Sequence, residues 1–291
     1  MNNVEHLSNI QLNLNIKRAN ISYLSPLKHI KMNLSTFIKN NINLYNLHID
    51  CKRFENVREW LSHEVIVGNN ANINEKLKNY CDNGSCDASF GKVNAGCLYL
   101  FDEFFAGYEK FNSVAKRNIN IVDYILIWLR YMLNLIKIGD NDHIYSFYET
   151  YINNGGTDNK YNKRIEGVSG YHNYKDLIDI KKNLMSIGIK AMSKFYDAFI
   201  LLCNICTGVN EEKKNCDNYL EKANEFAKKY DELNEDYYNG RDSPYNQLLS
   251  TLSDDYYNFQ SICYDFPLLP TYSRKFVIKS TLIPIAFIFV A

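Results

Sequence analysis

Cysteine is the residue type best placed to do chemistry in this 291-residue chain, at positions Cys51, Cys81, Cys86, Cys97, Cys203, Cys206, Cys216 and Cys263. A thiol can form a bridge, ligate a metal, act as a nucleophile or sit buried as a small hydrophobe. The even count is compatible with disulfides, although eight cysteines allow on the order of a hundred pairings. Cys81 and Cys86, with Cys97 soon after, read as a stapled loop feeding a helix. Zinc sites pair their ligands closely and repeat the pair. Only Cys203-Asn-Ile-Cys206 has such spacing; it lies inside the apolar run Phe199 to Cys206 with no histidine near it. No strand precedes Cys203 to present it as a redox pair at a helix start. Disulfides are the favoured reading, with buried thiols and then a metal site as the alternatives.

The other reactive side chains do not assemble. His6, His29, His48, His63, His143 and His172 are scattered, and His63-Glu64 lacks the second histidine of a metalloprotease helix. No phosphate-binding glycine loop, dinucleotide fingerprint or nucleophile elbow occurs. The pairs Asp254-Asp255 and Glu211-Glu212 sit in polar stretches, and adjacent residues do not share a helix face. They read as solvated charges. The sequence therefore predicts no enzyme, no catalytic or cofactor-binding residue, no cofactor and no metal.

Thirty-three basic residues balance thirty-three acidic ones, so the formal net charge is zero. That balance argues against a nucleic-acid partner, since such proteins normally carry a basic excess or stripe. Thirteen Gly and five Pro leave little turn chemistry, which disfavours sandwiches and barrels and predicts an all-α fold. The 39 asparagines, with many Tyr, Lys and Ile, report an AT-rich genome as much as a physical demand, so nothing is rested on them.

Helical periodicity begins at Cys51. Phe54, Val57, Trp60 and Leu61 share one face over 51–64; Ile73, Leu77 and Tyr80 mark a short helix. Phe90, Val93, Cys97, Phe101, Phe104 and Tyr108 predict one helix of some twenty residues. Residues 118–138 are apolar all round, but Asp123 and Arg130 would each cost about 3 kcal/mol in a bilayer. The segment is therefore predicted to be a central core helix wrapped by others. Further helices are predicted over 142–153, 174–185, 187–207 and 211–238, with a flexible loop at 153–159. Ser243-Pro244 predicts an N-cap followed by proline at N1, opening a helix that uses Leu248, Leu249, Leu252, Tyr256 and Phe259.

The ends differ from this middle. Residues 1–50 are Asn-rich, lack a clear amphipathic repeat and read as a disordered extension. Residues 265–280 read as a linker. After Lys275 and Lys279 comes an uncharged run from Ser280 to Ala291, and residues 281–291 read as the start of a transmembrane helix. A full span needs about 20 apolar residues, so the anchor is predicted to be truncated here.

Several segments read as family wording. They are Cys51-Lys-Arg-Phe-Glu-Asn-Val-Arg-Glu-Trp-Leu61, Val93-Asn-Ala-Gly-Cys-Leu-Tyr-Leu-Phe101 and Asn118-Ile-Asn-Ile-Val-Asp-Tyr-Ile-Leu-Ile-Trp-Leu129. Tyr174-Lys-Asp-Leu-Ile-Asp179, Lys194-Phe-Tyr-Asp-Ala-Phe-Ile-Leu-Leu-Cys203 and Asp242-Ser-Pro-Tyr-Asn-Gln-Leu-Leu-Ser-Thr-Leu252 follow. Together they resemble the Plasmodium interspersed repeat (PIR) proteins, particularly the rodent-parasite branches, over residues 51–291. The resemblance implies a multigene family of helical, disulfide-containing ectodomains with one C-terminal transmembrane helix, here a PIR domain over 51–264. It implies a variant surface antigen exported to the infected erythrocyte or its surface, with roles in antigenic variation and host-cell interaction. The partner it implies is a host protein or glycan, with membrane contact through the C-terminal helix. Cys51, Cys81, Cys86, Cys97, Cys203, Cys216 and Cys263 sit where the family places cysteines and are the candidate disulfide residues; Cys206 does not match. The family starts near its first cysteine, so residues 1–50 read as the product of a misassigned start or intron. The rival expectation is an intracellular helical interaction scaffold with reduced cysteines.

Overall fold

A computed structural model describes residues 51–68, 73–81, 86–117, 119–136, 143–154, 159–166, 170–211, 216–235 and 243–270. The expectations for residues 1–50, for the loop tip at 155–158 and for the membrane helix at 281–291 lie outside these. Among the described residues every regular element is helical and no strand occurs.

Helix α1 covers 51–60 and stops at Leu61-Ser62, where the Ser62 hydroxyl accepts from the Val65 amide and opens a new helix, α2 (His63–Val67). The sequence had predicted one continuous segment, and the capping serine divides it. Asn74 caps α3 (Glu75–Lys78) in the same way, accepting from the Lys76 amide at 3.0 Å. Helix α4 (Ser89–Phe105) carries the predicted aromatic face, but it ends before Tyr108. Gly107 turns the chain with φ of +79°, a left-handed conformation that glycine adopts cheaply, and Tyr108 lies half exposed at the start of α5 (Tyr108–Arg117). Phe111 and Ala115, four residues apart, are the buried side of α5, a helix the sequence reading did not separate.

Helix α6 (Ile121–Leu135) is the centre of the molecule. Every residue from Ile121 to Arg130 is buried, as its all-round apolar pattern predicted. It packs against α4 and α9 (Ile189–Glu211), with α2, α7 (His143–Phe147) and a 3₁₀ turn (Lys182–Ser186) also touching it. Aromatic rings join these layers: Phe54 of α1 meets Phe199 of α9 edge-on at 4.9 Å, and Tyr124 of α6 stacks on Phe199 at 4.4 Å.

The remaining helices differ from prediction at their ends. A π-helical turn (Tyr148–Ile152) prolongs α7. The predicted helix over 174–185 is α8 (Tyr174–Asp179) followed by the 3₁₀ turn Lys182–Ser186. The predicted helix over 211–238 is a 3₁₀ turn (Cys216–Tyr219) leading into α10 (Leu220–Glu235), whose buried stripe of Ala223, Phe226, Tyr230 and Leu233 packs on α9. Ser243 caps α11 (Pro244–Gln260), accepting from the Asn246 amide, with Pro244 in the first turn as predicted. Residues 265–270 do not behave as the linker expected of them. Phe266 and Leu269 are buried, and Tyr256 donates its hydroxyl to the Pro267 carbonyl at 2.9 Å.

No helix of the described residues is long and apolar enough to cross a membrane. In α6 the charged residues are matched within the fold. Asp123 lies 2.8 Å from Lys181 and accepts from the Thr251 hydroxyl at 3.0 Å, while Arg130 donates to the Met185 and Ile187 carbonyls at 2.8 and 2.9 Å.

Candidate functional site

Among the described residues there are three disulfides, two that join segments distant in sequence and one that closes a single loop. Cys51 of α1 joins Cys203 of α9, with α-carbons 5.1 Å apart and 152 residues of chain between them. Cys81 and Cys86, 5.0 Å apart, close the loop that feeds α4. Cys216, in the turn before α10, joins Cys263, just after α11, at 5.5 Å. All three separations fall within the span a disulfide bridges without strain on the backbone. Cys51, Cys203, Cys263 and Cys86 are buried, so each bridge has at least one sulfur in the core, while Cys81 and Cys216 are partly exposed.

Cys97 is the exception among the seven candidates and forms no disulfide. Its side chain is fully buried on the core side of α4, beside the Tyr161 hydroxyl, while Cys86 is already closed on Cys81. Burial pushes its thiol up to about 12, against a smaller opposing effect of Tyr161. Such a thiol is protonated and inert at neutral pH. Cys206 is also buried and lies outside the three bridges. The Cys203-x-x-Cys206 pair therefore has one sulfur committed to Cys51. Among the described residues no cluster of three His, Cys, Asp or Glu side chains could hold a metal ion. His63 is exposed at the start of α2, His143 lies against Phe90 at 5.4 Å, and His172 is in the segment before α8. They are on separate elements; His6, His29 and His48 lie outside the described residues.

Buried polar contacts supplement the disulfides, and the sequence reading missed most of them. Lys92 of α4 is 2% exposed, and its ammonium donates to the Val65 and Gly68 carbonyls at 2.9 and 2.6 Å. It thereby serves the C-terminus of α2, where a cation meets the negative end of the helix dipole. Asp102 accepts from the hydroxyls of Tyr80 and Tyr174 at 2.8 and 2.7 Å, joining α4 to the segments before α4 and at α8. Asp255 corrects the expectation that the Asp254-Asp255 pair is solvated. Asp254 is exposed, but Asp255 turns inward and accepts from the Tyr124 hydroxyl of α6 at 2.6 Å. Desolvation raises its pKa to about 6; the Tyr124 hydrogen bond opposes this, and the nearby charges of Asp254 and Asp123 reinforce it. The signal in the sequence was the helical spacing: Asp255 is four residues from Thr251 and adjacent to the buried Tyr256, so it lies at the edge of the core face.

Two open hollows lie on the surface of the described residues. One, of about 480 Å³, lies between α1, α2, α6, α9 and α10, beside Arg58, His63, Tyr131, Tyr196, Asp197 and Lys229. Tyr131 and Tyr196 stack at 3.8 Å on its wall, and Lys229 pairs with Asp197 at 3.6 Å. A second, of about 590 Å³, lies where the start of α9 meets Pro244 and Tyr245.

The chain's similarities agree with this architecture. Residues 51–291 match the family model of the Plasmodium variant antigen protein Cir/Yir/Bir. A solved structure of a Plasmodium PIR protein ectodomain is similar at a TM-score of 0.64 and 27% sequence identity, over 79% of this chain and 99% of the other. Among curated proteins none matches.

Proposed function

The chain belongs to the Plasmodium variant antigen family Cir/Yir/Bir, and from that premise we propose that residues 51–270 are the ectodomain of a non-catalytic variant surface antigen. In this reading the protein is exported to the infected erythrocyte or its surface, held by its C-terminal apolar segment, and presents its helical surface to host proteins or glycans. The observation that carries the proposal is the set of three core disulfides, above all Cys51–Cys203 across 152 residues. Bonds of this kind persist in oxidising, extracellular compartments and are rare in reducing ones. The similarity to a PIR ectodomain, over 99% of that chain and 79% of this one, supports the same reading.

The arrangement suits an antigen that must vary. The frame is built from the buried residues of α6, the disulfides and buried ties such as Lys92 and Arg130, most of which lie away from the surface. Exposed helix faces and connecting segments can change at small energetic cost while this frame is kept. The test is protease shaving and membrane-impermeant biotin labelling of intact infected erythrocytes, read by mass spectrometry of the 51–270 peptides. Labelled peptides from this region are the expected result. Labelling only after permeabilisation would instead favour an internal helical scaffold.

A further inference from the structure

The last described segment has two faces of opposite character. Cys263, Phe266 and Leu269 are 1%, 3% and 4% exposed and pack inward. Tyr264 and Leu268 point outward at 72% and 80% exposure, the two most exposed large hydrophobic residues among those described. The outward face is not a loose end. The Cys216–Cys263 disulfide pins its start, Gln260 donates to the Phe266 and Pro267 carbonyls at 3.3 and 3.1 Å, Tyr256 donates to Pro267, and Asn234 donates to the Pro270 carbonyl at 3.3 Å. A fastened backbone thus holds a tyrosine and a leucine, four residues apart, out in solvent.

We propose that the outward face of residues 264–268 is a membrane-contact surface, with Tyr264 and Leu268 seated in the interfacial layer of the phospholipid bilayer. The proposal rests on the membrane attachment of the C-terminal segment put forward above. Nine residues, 271–279, separate Pro270 from the uncharged run Ser280 to Ala291. Even fully extended they span roughly 32 Å, so attachment keeps this face close to lipid. Tyrosine favours the headgroup boundary, where its ring meets acyl chains and its hydroxyl meets water, and leucine supplies apolar area to the same layer. Arg274, Lys275 and Lys279 follow in sequence and can meet lipid phosphates. Asp265, exposed between the two hydrophobic residues, would sit among headgroups and favours a zwitterionic over a strongly anionic surface. A bilayer accounts for the position of the patch beside the apolar run, which a second copy of the chain does not.

The experiment uses the full chain in phosphatidylcholine vesicles containing a minor fraction of phosphatidylserine. Tyr264→Trp and Leu268→Trp are compared with Tyr108→Trp, which replaces a half-exposed tyrosine elsewhere, and the signal of the unsubstituted chain is subtracted to remove Trp60 and Trp128. Flotation reports attachment, and quenching by brominated lipid against iodide reports contact. The expected result is that the new tryptophans at 264 and 268 shift to the blue, lose most of their emission to brominated lipid and resist iodide, while that at 108 does the reverse. Flotation with iodide-accessible tryptophans at 264 and 268 overturns the contact and leaves attachment intact. Iodide protection without brominated-lipid quenching, growing with protein concentration, assigns the face to self-association and also overturns the proposal. Failure to float removes both the attachment and the contact.

Discussion

Gly96 of α4 lies directly beneath the indole of Trp128 of α6: a β-carbon added at Gly96 would come within 2.7 Å of Trp128 Cη2 and 2.6 Å of Leu61 Cδ1. The central helix and its neighbour approach this closely because one of them has no side chain at the crossing. Gly96→Ala is expected to lower stability by about 1–3 kcal/mol, the usual cost of overpacking a filled core. In the Gly96→Ala/Trp128→Phe double variant the two costs should be clearly less than additive, since the smaller ring makes room for the methyl group. Urea unfolding of the four chains measures the coupling.

The three disulfides should differ in worth according to the loop each closes. In the chain-entropy model the Cys51–Cys203 bond, across 152 residues, contributes roughly 5 kcal/mol. Cys216–Cys263, across 47 residues, contributes about 4 kcal/mol, and Cys81–Cys86, across 5 residues, about 2 kcal/mol. Replacing each pair by alanine and comparing midpoints of denaturation should reproduce that order.

Arg130 is 2% exposed and holds the carbonyls of Met185 and Ile187, where the 3₁₀ turn leads into α9. Arg130→Met keeps much of the side-chain volume but leaves both carbonyls short of a donor inside the fold. A loss of about 3–5 kcal/mol is expected. Arg130→Lys should recover part of it. Hydrogen exchange at the amides of 186–192 should rise first in the Met variant, because the contact fixes that connection.

Stability should depend on pH through Asp255. Its folded-state pKa, near 6, lies above the unfolded value of about 4. The folded protein therefore holds this proton more tightly than the unfolded chain does. The resulting stabilisation is fully present below about pH 4 and is lost as pH rises through 6. Asp123, also raised, with burial as the main cause, acts in the same direction. Asp255→Asn keeps an acceptor for Tyr124 and removes the charge. It should stabilise the protein at pH 7.5 by up to about 3 kcal/mol and have little effect at pH 4. Unfolding with disulfides intact at the two pH values gives the difference directly.

How far the sequence could be read depended on the range of the interaction. The all-round apolar pattern of α6 and the Ser243-Pro244 start of α11 were legible because they are local and periodic. The Gly107 turn was hidden because the aromatic spacing of α4 runs on through Tyr108 as if the helix continued, although backbone geometry ends it at Phe105. Asp255 was misread for a related reason: a carboxylate beside another carboxylate looks solvated until the distant Tyr124 hydroxyl is placed against it. Lys92 likewise resembles any helical lysine in the sequence. Only the fold brings the end of α2 to its ammonium, 24 residues away at Gly68. Cys97 was a bridge candidate by resemblance alone, and only the fold shows it buried beside the Tyr161 hydroxyl while Cys86 is closed on Cys81.

A non-reducing peptide map of the protein isolated from infected cells under thiol-blocking conditions shows whether the ectodomain is oxidised. Linked peptides are expected for Cys51–Cys203, Cys81–Cys86 and Cys216–Cys263, with Cys97 and Cys206 alkylated only after the protein is unfolded. Alkylation of all eight cysteines without a reductant would contradict an oxidised ectodomain and return the chain to the interior of the cell.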